Sequence, residues 1–172
     1  MIIFSKALIY NAELHRKLKI CYISAMDIQH KGDYVLTATG SIDFGEISAN
    51  IANLIHRQAG KIRLRKGQQN NTQGDFGEKH IERPERLAQL NKVGFSSARD
   101  FVETICKNYD EIYSSGTRLM LTGVCNGYTC IIELKPIENE EVYDVITAMI
   151  ARRKSILNKA AKQKIRLLWQ RV

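Results

Sequence analysis

The chain reads as an α+β protein, with N-terminal helices packed on a small antiparallel sheet and a basic C-terminal helix. Three observations predict this. SSARDFVETICKNYDEIY repeats apolar residues at helical spacing, TRLMLTGVCNGYTCIIELKP sets two β-rich runs around Asn126-Gly127, and the tail from Ala151 carries eight Lys/Arg and no acid. Helices segregated from an antiparallel sheet make this class, because each element buries one apolar face against another layer.

At 172 residues the chain holds one domain with a real core plus an appendage. Hydrophobic residues at 44% and charged residues at 26% exclude a disordered or membrane-embedded chain and fit an ordinary globular one. The organisation reads as an accessory segment over 1–42, a domain over 43–150 and a basic tail over 151–172. The net charge of +8 favours an anionic partner, nucleic acid first and acidic protein second. Cys21, Cys106, Cys125 and Cys130 form no CxxC pair, and reduced thiols are expected. The opening MIIFSKALIYNAELHRKLKI is apolar for too few residues to span a bilayer and lacks the pattern of a secretory leader, so a cytoplasmic protein is expected. That cytoplasm is the producing cell's own, or a target cell's after delivery as part of a larger protein.

Along the domain, DFGEISANIANLIHRQAG places Ile47, Ile51, Leu54 and Ile55 on one helical face, with Asp43 as cap and Gly60 as stop. KIRLRKG then alternates Ile62 and Leu64 with Lys61, Arg63 and Arg65, the period of a half-buried strand with one basic face. After a polar loop, Glu78–Lys92 reads as helix interrupted at Pro84, since proline removes a backbone donor and clashes with the preceding turn. Ser97 and Asp100 suit a capping box for a helix bearing Phe101, Ile105, Tyr109 and Ile112. Asn126-Gly127 is a strong hairpin signal, VYDVITAMI reads as a further strand, and the tail as a basic helix.

His15, His30, His56 and His80 share no ligand spacing, so no metal site is read here. Phosphate-binding and nucleophile-elbow glycine motifs are missing as well. What stands out is GDFGEKHIERPERL. Gly74 and Gly77 permit close backbone approach, a helix start there would offer amide donors to an anion, and Lys79, Arg83 and Arg86 can neutralise a phosphate. His80 can exchange a proton near neutral pH. RNA cleavage without metal or cofactor needs this set: a base for the ribose 2′-hydroxyl, an acid for the leaving oxygen, and cations around the phosphate. A solvated histidine on a basic helix is the other reading of the same residues.

Residues 61–149 resemble a prophage- and toxin-associated branch of the barnase/EndoU/colicin/RelE-type nucleases, the BECR fold. The resemblance rests on GKIRLRKGQ, GDFGEKHIER, VGFSSARDFVETICKNYDEIY, IIELKP and YDVITAMIARR in that order, with LLWQR at the end. It implies a metal-independent endoribonuclease toxin that cuts RNA, tRNA included, by 2′-hydroxyl attack and meets an acidic immunity or antitoxin protein. His80 matches the family's histidine as general acid or base, and Thr147 its hydroxyl residue on the last strand. Tyr143, on the same face of a regular strand as Thr147, is the candidate to position a base or donate a proton, as is Lys79. Arg63, Arg65, Arg83, Arg86, Arg152 and Arg153 are expected to hold the RNA backbone. The chain departs from the family where HIERPERL lacks a second histidine, since arginine does not exchange protons near pH 7. That departure keeps two other readings open: a nucleic-acid-binding module without the chemistry, and a basic surface for an acidic protein partner.

Overall fold

A computed structural model describes residues 33–70 and 74–172. The expected accessory segment therefore lies mostly outside the described residues, and Tyr34–Val172 form one compact unit. Seven strands build its single sheet: β1 (Asp43–Ile47), β2 (Gly60–Arg63), β3 (Glu111–Ser115), β4 (Arg118–Cys125), β5 (Tyr128–Pro136), β6 (Val142–Ala151) and β7 (Arg166–Gln170). Their order is β1-β2-β6-β5-β4-β3-β7, antiparallel throughout except between β2 and β6. Five helices punctuate them: α1 (Ala49–Ile55), α2 (Gly77–Ile81), α3 (Pro84–Asn91), α4 (Ala98–Asn108) and α5 (Arg153–Ala161).

This corrects the expected fold class. The unit is a mixed α/β protein on a curled seven-stranded sheet, not N-terminal helices on a small antiparallel one. Three strands account for the difference, and each was hidden under a helical period. In DFGEI, Phe44 and Ile47 are buried from a strand, and Ser48 rather than Asp43 caps the helix, its Oγ accepting from Ile51 N at 3.4 Å. The Asp43 carboxylate instead meets Arg63 Nε at 2.7 Å. The apolar spacing Phe101, Ile105, Tyr109, Ile112 runs on past the end of α4, but the backbone turns extended at Tyr109 and Ile112 belongs to β3. The basic tail is helical only through Ala161. Its last residues form β7, which pairs with β3 and sets Trp169 edge-on to Tyr109.

Other expectations hold. Pro84 ends one helical turn and occupies the first turn of the next, where its missing N–H costs nothing. Ser97 Oγ accepts from Asp100 N at 3.1 Å, and Asn126 and Gly127 both take the positive φ that a two-residue hairpin requires. Cys106, Cys125 and Cys130 are free thiols, and Cys21 lies outside the described residues. Among the described residues no helix is long and apolar enough to cross a membrane.

The sheet packs on both faces, unequally. One face carries the main core, where Ile132, Leu134 and Val145 meet Phe101 and Ile105 of α4, Ile81 of α2 and Leu90 of α3. The other holds a smaller cluster of Tyr113, Met120 and Ile131 under Ile156 of α5. Fully burying each such side chain stabilises the fold by about 1.5–3 kcal/mol. Because α5 covers only part of the second face, the rest is free to carry polar groups.

Candidate active site

His80 owes its position to a backbone crossing. After β2 the chain leaves and returns through a bridge between Gln68 and Phe76, while Gly67 and Gly77 lie back to back. A Cβ on Gly67 would sit 1.9 Å from Phe76 O, and one on Gly77 2.5 Å from Arg65 O. Gly77 thus serves a chain crossing and not an approach to anions. The first amides of α2 are consumed too, Glu78 N donating to Arg65 O at 2.8 Å and Lys79 N to Lys66 O at 3.1 Å. Ile81, fully buried, anchors the turn. His80 is left half-buried, its Nδ1 2.9 Å from Gln69 Oε1. Burial chiefly holds the imidazole below its usual value of 6.5; Arg83 and Arg86 act the same way and Asp75 opposes them.

A second set of polar residues comes from β5 and β6. Paired residues on adjacent strands share a face, and Leu134 faces the main core together with its partner Val145. Glu133 and Lys135 therefore face the other side, with their partners Thr147 and Asp144. Asp144 and Thr147 are three apart yet share that side, because an extra residue at Ile146 opens a bulge where the register shifts. The bulge also separates two residues expected to face together. Tyr143 points into the main core, where it is 1% exposed and its hydroxyl donates to Gln58 O at 2.7 Å. Burial pushes its phenol up. Tyr143 is thus a core residue on the sheet face opposite Thr147.

Arg86 is linked electrostatically to groups on both α2 and β5. Helices α2 and α3 both lie against β6, and the Arg86 charge acts on His80 and on Glu133 alike. Its Nη1 is held by Gln89 Oε1 at 3.0 Å, but its Nε is buried without a hydrogen-bond partner. The other buried side-chain polar atom in that condition among the described residues is Thr147 Oγ1. Buried donors left unmatched cost about 1–3 kcal/mol each, so both are poised for an acceptor. Glu133, 23% exposed, also meets Arg118 Nη1 at 3.4 Å. The junction of α2 and α3 with β6 thus holds an imidazole and an unmatched arginine Nε, and the polar side of β5 and β6 holds the Glu133 carboxylate and the unmatched Thr147 hydroxyl.

The remaining expected residues divide. Arg83 stands beside His80 at the start of α3, and Lys79 is exposed one residue before it. Arg63 and Arg65 lie on the polar side but are engaged, Arg63 with Asp43 and Arg65 with Asp144 at 2.6 Å, both over the Tyr34 ring. Arg153 grips buried Glu111 on α5's side of the sheet, its Nη2 2.6 Å from Oε1, and Arg152 is exposed. Glu133 and Gln69 were not foreseen. The signal for Glu133 was its place in IIELKP, an acid at the outward position of an otherwise apolar strand. Gln69 sits in a featureless polar loop and had none.

No protein-family model matches the chain, and neither a curated protein nor a solved structure matches it.

Proposed function

We propose that the domain is a metal-independent endoribonuclease whose active site forms where α2 and α3 lie against β6, with Glu133 and Thr147 of β5 and β6 taking part. The observation that carries this is Arg86, whose charge acts on both His80 and Glu133 and whose buried Nε is unmatched, together with the unmatched hydroxyl of Thr147, the partner of Glu133 across β5 and β6. Two unmatched donors together with an imidazole and a carboxylate are the groups a phosphodiester passing through a pentavalent state requires. In the reaction, the Glu133 carboxylate takes the proton from a ribose 2′-hydroxyl, and the 2′-oxygen attacks phosphorus. Arg86 Nε and Thr147 Oγ1 donate to the non-bridging oxygens as charge accumulates. His80 as imidazolium gives a proton to the departing 5′-oxygen, leaving a 2′,3′-cyclic phosphate and a free 5′-hydroxyl. Glu133 fills the role for which HIERPERL offers no second histidine. The resemblance in motif order to the barnase/EndoU/colicin/RelE-type nucleases supports the same chemistry.

The substrate is RNA, held by the exposed cations of α5 and the tail, and the place of action is a compartment that contains it, the cytoplasm. As a toxin, the protein would be held in check by an acidic antitoxin or immunity partner. The test is cleavage of mixed RNA and tRNA in EDTA, with product ends read by mass spectrometry. Cyclic-phosphate ends that disappear in His80→Ala and in Glu133→Gln, and no cutting of a strand with 2′-deoxyribose at the scissile position, are expected. Equal cleavage by all three proteins would overturn the assignment. Salt-sensitive RNA binding with no products would select the inert binding module, a reading favoured by the Arg118 pairing of Glu133.

A further inference from the structure

We infer that Gln69 is a positioning residue that holds His80 with its proton on Nδ1, so that Nε2 is the nitrogen that faces substrate. The inference rests on the ribonuclease reading for its consequence, but not for its geometry. Gln69 Oε1 lies 2.9 Å from His80 Nδ1. An amide oxygen only accepts, so the ring nitrogen opposite it must carry hydrogen. In the neutral ring this leaves the lone pair on Nε2, and in the imidazolium it makes Nε2–H the proton that departs. After donation to the 5′-oxygen, the Nδ1–H bond to Gln69 persists, and the ring is ready to be reprotonated without rotating.

The backbone around Gln69 is built to hold such a contact. Gln68 exchanges both backbone hydrogen bonds with Phe76, at 3.1 and 3.3 Å, and the amide of Asn70 donates to Asp75 Oδ1 at 2.9 Å. The Gly67–Gly77 crossing then ties this loop base to α2, which carries His80. These contacts set the side chain of residue 69 opposite that of residue 80.

The choice of an amide has a chemical consequence. A carboxylate behind the ring would stabilise the imidazolium, whereas an amide bonds both protonation states through the same N–H. Among the described residues, the charged groups acting on His80 are Arg83 and Arg86 from α3 and its cap, against Asp75 from the loop. Burial first, and these cations second, hold the ring below its usual value, which favours the neutral form at rest, and an arriving phosphodiester, by adding negative charge, raises its proton affinity. Protonation of the acid is thereby coupled to occupancy of the site.

The test uses the full chain labelled with ¹⁵N-histidine, His80 being assigned by its absence in His80→Asn. Long-range proton–nitrogen spectra above its pKa are expected to show a protonated Nδ1 and a bare Nε2. Gln69→Ala should shift His80 toward the Nε2–H form that free imidazole side chains prefer and lower kcat about tenfold with KM little changed. Gln69→Glu should keep the tautomer, raise the His80 pKa by about one unit, and move the high-pH limb of the cleavage profile up with it. A wild-type ring protonated on Nε2, an unchanged tautomer in Gln69→Ala, or an unmoved titration in Gln69→Glu would each overturn the inference. Absence of cleavage in the wild type would sink the ribonuclease reading instead, while the spectra still decide the role of Gln69.

Discussion

At His80 the sign of the pH dependence follows from its surroundings. Burial and the nearby arginines hold the ring below 6.5, so its protonated form vanishes earlier than usual as pH rises. If His80 is the acid, kcat/KM falls as pH climbs through a midpoint under 6.5. A pH–rate profile checks this, and a midpoint well above 6.5 would contradict it. The folded protein binds that proton less readily than the unfolded chain, so the same residue makes the fold less stable as pH drops below 6.5. Thr147 offers a cleaner separation of chemistry from folding. Its hydroxyl is buried without a partner, so Thr147→Val removes a donor and no existing bond. Stability measured in urea should hold or rise by about 0.5–1 kcal/mol, while cleavage falls by about 10²-fold. Thr147→Ser should retain most of the activity.

At the scale of elements, the site depends on joints more than on helices. Helix α2 is a five-residue turn fixed by Ile81, the Gly67–Gly77 crossing and Pro84 beyond it. Gly67→Ala would drive a Cβ into the Phe76 carbonyl at a φ of +67, where the neighbour is backbone and cannot yield. We expect a loss of at least about 1–3 kcal/mol in urea unfolding, with the His80–Gln69 signature in the nitrogen spectra lost before the fold is. These joints were partly legible. Proline at 84 and the Ser97 cap act within a few residues of themselves, and both appear where the sequence put them. The bulge at Ile146 was not legible, since VYDVITAMI alternates without a glycine or a turn residue to mark it. Only pairing with β5 shows that Tyr143 faces the main core and Thr147 the opposite side of the sheet.

For the whole molecule the basic tail has two separable jobs. Lys159, Lys162 and Lys164 are exposed, and changing all three to Gln should weaken RNA binding and flatten its salt dependence with little effect on stability. Strand β7 in contrast closes the sheet over β3, with Leu168 and Trp169 packed on the core. A chain ending after Lys164 would bare the β3 edge, and we expect lowered unfolding midpoints and concentration-dependent association by light scattering. Read alone, the sequence determined what depends on near neighbours: the β2 alternation, the break at Pro84, the cap at Ser97, the Asn126-Gly127 turn, and the cation-rich setting of His80. The tertiary structure alone decided which short apolar runs became strands, which face Thr147 took, and that Arg86 and Gln69 come to act on one histidine. Pairing partners, register and bulges are set by residues tens of positions away, and a local period of apolar residues cannot encode them.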